Sequence, residues 1–95
     1  MTNDFGRWVE AVRALGPYRE TARRLSADLQ RIMETPSPLL SDLDRLRAEV
    51  RTCWSDLDGL EKDAPEHVGE LKARFIVLLN EVDMLRENIL AHGHS

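Results

Sequence analysis

The stretch VGELKARFIVLLNEVDMLRENIL, residues 68–90, decides the fold. Val68, Leu71, Phe75, Leu78, Val82, Leu85 and Ile89 follow one another in it at alternating steps of three and four, which is the a/d seam of a packed helix. Burying one such stripe is worth less than the conformational entropy lost in ordering the segment, so the helix needs neighbours. The rest of the chain supplies them at the same periodicity.

Upstream, Leu39, Leu43, Leu46, Val50, Cys53, Leu57 and Leu60 form a second seam, with Trp54 on its flank. The spacing predicts a helix over 38–62, opened by Ser37-Pro38 as cap and first-turn proline, with Ser41 and Asp44 as an alternative capping box. Gly59 and Lys62-Asp63-Ala64-Pro65 close it, and Asp63 is expected to cap a last helix over 65–91. A turn this short makes the two helices antiparallel neighbours. Residues 92–95 form a tail.

Further upstream, Phe5, Trp8, Val9, Val12 and Leu15 belong to one apolar pattern, and Tyr18, Ala22, Leu25, Leu29 and Ile32 to another. The two are out of phase, and the slip falls on Gly16-Pro17. A proline inside a helix removes a backbone hydrogen bond and clashes with the preceding turn, so an amphipathic arm (2–15, capped by Thr2 or Asn3) and a helix (17–34) are expected. As a single rod the run would overhang its neighbours and carry Phe5, Trp8, Val9, Val12 and Leu15 into solvent. The hinge lets the arm fold back over the last helix or cross to a second chain. Thr35-Pro36-Ser37-Pro38 ends the element.

The expected fold is therefore all-α, a single antiparallel three-helix bundle, dimerising, whose N-terminal arm could form a fourth helix. Its 95 residues hold one core but remain short enough for partner burial to matter. A net charge of −4 gives no general attraction to phosphate backbones or anionic headgroups, so nucleic acid is not expected as a partner. Residues 1–35 carry six Arg against five acids, whereas residues 36–95 carry seven bases against twelve acids. Asp56, Asp58, Glu61, Asp63, Glu66 and Glu70 cluster around one turn with Lys62 opposing them, which could recruit a basic partner but more often is a solvated helix end. No apolar run approaches the roughly 18 residues of a membrane span, and Met1-Thr2-Asn3-Asp4 has no basic run followed by a long apolar core, so neither a membrane span nor a signal peptide is expected. One cysteine at a seam position implies a reducing compartment, so the cytoplasm is the expected location.

Chemistry inside a bundle requires ionisable groups projecting from seam positions. The two long seams hold only Leu, Val, Ile, Phe and Cys, and no Glu-x-x-His pair, cysteine pair or phosphate loop occurs. His92 and His94 flank a glycine, one imidazole short of a minimal zinc site. No catalytic residue, cofactor or metal is expected. The segment Leu43-Asp44-Arg45-Leu46-Arg47-Ala48-Glu49-Val50 resembles the opening of the all-helical chorismate mutases, small three-helix dimers. That resemblance covers eight residues and implies a cationic pocket for a dicarboxylate, to which Arg47 alone transfers. Trp54-Ser55-Asp56-Leu57 followed by a long final helix is similar in architecture to the small acidic chaperones of flagellar and type III export. That likeness implies an apolar helical surface offered to a partner's helix.

The positive expectation is an interface. With Val68 at heptad position a, Ile76 and Leu90 fall at b, and Val77 and Met84 at c, which face water in a simple bundle. Together with Phe5, Trp8 and Val12 of the arm they form the candidate contact surface. It would be covered by the arm, by a second copy of the chain or by a helix of another protein. Arg19, Arg23 and Arg24 could pair with the acidic turn of another copy, though exposed pairs contribute at most about 1 kcal/mol.

Overall fold

A computed structural model describes residues 3–92, with side chains from Asp4 onward. Four helical segments, α1 (Asn3–Ala14), α2 (Gly16–Glu34), α3 (Leu40–Asp58) and α4 (Pro65–His92), account for nearly all of it, and no strand occurs among the described residues. The expected cap at Thr2 and the tail from Gly93, including His94, lie outside the described residues.

Between α1 and α2 stands a single residue, Leu15, in right-handed helical conformation (φ −77°, ψ −16°). Its N–H donates to the Ala11 carbonyl at 3.1 Å, and its own carbonyl accepts from Arg19 N–H at 3.0 Å. Pro17 sits in the first turn of α2, where a missing N–H costs nothing. The arm is thus a kinked continuation of α2, and it neither folds back along α4 nor detaches. Leu15 is fully buried and Ala11 nearly so, in the same core cluster as Ala64, so part of the arm's apolar face is covered within the chain without the arm folding back. Val9 and Val12 are half-buried.

The ends of α3 also differ from expectation. Leu39 is extended (φ −94°, ψ 136°) and starts the helix without a side-chain cap, so neither Ser37 nor the Ser41 and Asp44 box performs that role. Thr35, which precedes Pro36, is likewise extended, as the clash with the proline ring requires. At the other end α3 stops at Asp58, and three-residue turns carry the chain on: Leu60 N–H donates to Leu57 O at 3.0 Å and Asp63 N–H to Leu60 O at 3.2 Å. The first bond of α4 runs from Val68 N–H to Ala64 O at 2.9 Å, so Ala64 holds the capping position expected of Asp63.

One core joins all four segments. Leu25 and Leu29 of α2, Leu43, Val50 and Leu57 of α3, and Val68, Phe75 and Val82 of α4 are at its centre, with Cys53 among them. Side-chain pairs fix the register: Arg86 meets Asp44 at 3.0 Å, Arg47 meets Asp83 at 3.2 Å, and Arg24 meets Glu49 at 2.6 Å. The molecule measures 65 × 18 × 16 Å, against about 42 Å for α4 alone at 1.5 Å per residue, so it is a thin rod extended at one end by the arm.

Candidate functional site

Amphipathic helices turn one stripe inward and water-loving residues outward; α4 does only the first. Val68, Leu71, Phe75, Leu78 and Val82 are buried. On the remaining circumference Ile76 is 43% exposed, Val77 55%, Met84 69% and Leu90 41%, while at the arm Phe5 is 70% and Trp8 39% exposed. Residues three and four apart are neighbours on a helix, so Val77 and Met84 line up through Asn80, with Ile76 and Ala73 beside them. Leu90 lies one turn beyond Arg86, which reaches the first turns of α3 through Asp44.

The arm makes a separate patch. Phe5 and Trp8, one turn apart, stack with ring centroids 5.9 Å apart, and the Trp8 ring meets His67 edge-on at 5.6 Å. His67 is in the first turn of α4, and its Nδ1 is buried without a hydrogen-bond partner. From His67 to Met84 is about 25 Å along the helix, so the arm covers none of Ile76, Val77, Met84 or Leu90. The seven residues singled out by the sequence accordingly form two surfaces. Six of them are exposed, and Val12 is half-buried against the core.

A polar cluster that the seam pattern does not disclose closes the junction of α3 and α4. Lys72 is buried: its ammonium donates to Asp58 and, at 3.1 Å, to Glu61, and it lies 4.9 Å above the centre of the Trp54 ring. The hydrogen bond to Asp58 holds its pKa above the usual lysine value. Two carboxylates of the acidic turn are thereby engaged within the chain, and Asp56 takes a third hydrogen bond from the Tyr18 hydroxyl at 3.3 Å. The signal in the sequence was Lys72 standing four residues after Val68, on the flank of the seam, fourteen residues after Asp58. Only the turn geometry brings them together.

The arginines that could pair with another copy are partly committed as well. Arg24 is held by Glu49 and Asp28, and Arg23 pairs with Glu20 at 3.0 Å, whereas Arg19 has no ion pair among the described residues. Arg47, on which the enzyme resemblance turned, faces Asp83. Burial raises the Cys53 thiol pKa, leaving a protonated and unreactive sulfur at neutral pH. Among the described residues no three His, Cys, Asp or Glu side chains gather as metal ligands. No described helix is long and apolar enough to cross a membrane.

The chain matches no protein-family model, no curated protein and no solved structure.

Proposed function

We propose that this chain is a non-catalytic interaction module: an antiparallel three-helix bundle that pairs with a second copy of itself through the outward face of α4. The observation that carries the reading is the exposure of Ile76, Val77 and Met84 on a helix whose other face is already closed. Apolar residues on all sides of a helix belong to one that is covered on all sides. The opposed order of the pairs Asp44–Arg86, Arg47–Asp83 and Asp58–Lys72 supports the antiparallel run of α3 and α4. A second copy is the first partner to consider, since symmetric pairs dominate oligomers and a small core gains most from shared burial. Phe5 and Trp8 form an additional contact point at the end of the rod. The single buried thiol fits a reducing compartment, so the reading places the module in the cytoplasm.

Sedimentation equilibrium of the full chain tests this. The expected result is a dimer mass at micromolar concentration and a monomer mass for Met84→Glu, because a charge buried in an apolar contact without a partner is strongly disfavoured. Monomer mass for both proteins at every concentration would overturn it.

A further inference from the structure

A second surface runs along the junction of α2 and α4, and it is polarised. Near the arm, Arg19 and Arg23 of α2 and Arg74 of α4 border a cleft of about 310 Å³ with Glu70 and His67. Arg19 and Arg74 hold no ion pair among the described residues, although Glu70 stands one turn before Arg74. Three guanidinium groups thus stand here against two carboxylates, Glu70 on the cleft and Glu20 on Arg23, in a chain of net charge −4. Arg23 and Arg74 then border a second cleft of about 440 Å³, which continues along the same junction over Leu29, Met33, Val77 and Leu78 and has Glu81 on its wall. Basic at one end and apolar at the other, the two clefts form one groove. From Arg19 to Met33 it is about 21 Å long, the length of four helical turns.

We infer that this groove docks an amphipathic helix of another protein, acidic in its N-terminal turns and apolar in the next two, lying parallel to α2 and α4. The inference rests on the interaction-module reading and adds the partner's chemistry. The balance of charge sets the direction: at the arm end three guanidinium groups outweigh Glu70 and attract carboxylates, whereas Glu81 repels them at the other end. Acids in the first turns also favour the partner's own helix, since they complement the positive end of its dipole. Apolar side chains at steps of three and four then reach Met33 and Val77, both exposed in the free chain.

The test uses a synthetic helical peptide of about 16 residues, four turns, with glutamates in the first two turns and leucines at steps of three and four in the last two. Its twin carries lysine in place of each glutamate. Titrated into the Met84→Glu protein and followed by backbone amide shifts, the acidic peptide should saturate, moving residues of α2 and α4 along the groove. The twin, and the acidic peptide on Arg19→Glu/Arg74→Glu, should each bind at least about tenfold more weakly, a change of about 1.4 kcal/mol. Met33→Glu should weaken binding at the apolar end. These three side chains make no internal ion pair and are not part of the core, so the variants keep the fold, which unfolding midpoints verify. Equal binding of the twin, equal binding by the double variant, or no saturation at millimolar peptide overturns the inference. Self-association of the unmodified chain is measured separately and stands or falls without it.

Discussion

The two faces of α4 are made of similar residues and have opposite fates. On the inner face Val68, Phe75 and Val82 are enclosed by α2 and α3; on the outer face Ile76, Val77 and Met84 remain exposed. Hydrophobicity alone therefore does not place a residue in this core. What separates the faces is whether a second stripe of matching period lies opposite, and α2 and α3 provide two stripes for a helix that has apolar residues on three sides.

The sharpest way to break the comparison is to truncate one residue on each face. Phe75→Ala removes a fully buried ring and should cost about 3–5 kcal/mol in urea unfolding, through lost burial and the cavity left behind. Met84→Ala should change the unfolding of the isolated monomer by less than about 0.5 kcal/mol, as substitutions at exposed positions generally do. Similar costs at both sites would mean that the outer face is already packed.

The arm offers the same contrast at shorter range. Leu15→Ala should cost about 2–5 kcal/mol, because Leu15 closes the core beneath the kink, while Phe5→Ala should be nearly silent in the monomer. Tryptophan emission in a Trp54→Phe background sharpens this. Trp8, with its ring edge-on to His67 and partly exposed, should show an intermediate emission wavelength and partial quenching by iodide. Fully exposed behaviour would mean that the arm has left α4.

Smaller effects are expected at the polar end of the inner face. Lys72→Ala should lower the melting temperature more than Lys62→Ala, because Asp58 and Glu61 lose a shared cation and the Trp54 ring loses its cover. The same cluster gives the fold an alkaline limit. The Asp58 hydrogen bond raises the Lys72 pKa, and burial raises those of Cys53 and Tyr18. For each group the folded value lies above the unfolded one, so its contribution is complete below the unfolded pKa and is lost as pH rises through the folded one. Melting temperature should hold near neutrality and fall progressively from about pH 8.5 upward. A flat profile to about pH 11 would contradict these shifts.

Most of the inner face was legible from spacing, because a period of three and four is a property of the helix itself and needs no knowledge of neighbours. The same arithmetic placed Ile76, Val77, Met84 and Leu90 outside. What spacing did not disclose depends on contacts between segments. The burial of Leu15 within a single chain depends on packing between segments, and the pairing of Lys72 with Asp58 and Glu61 depends on the turn that precedes α4, neither of which has a periodic signature. The ends of α3 were misplaced for a related reason. They are stabilised by backbone bonds at Leu39 and Gly59, without the side-chain caps that sequence patterns reveal.

The account rests on the outer face of α4 being a contact surface for a second copy, and the dependence of melting on protein concentration tests this most directly. Contact between folded chains stabilises them by mass action, so the midpoint of the full chain should rise as concentration is increased a hundredfold, while that of Met84→Glu stays constant and equals the dilute value. A midpoint independent of concentration in the full chain, and identical in Met84→Glu, would contradict it.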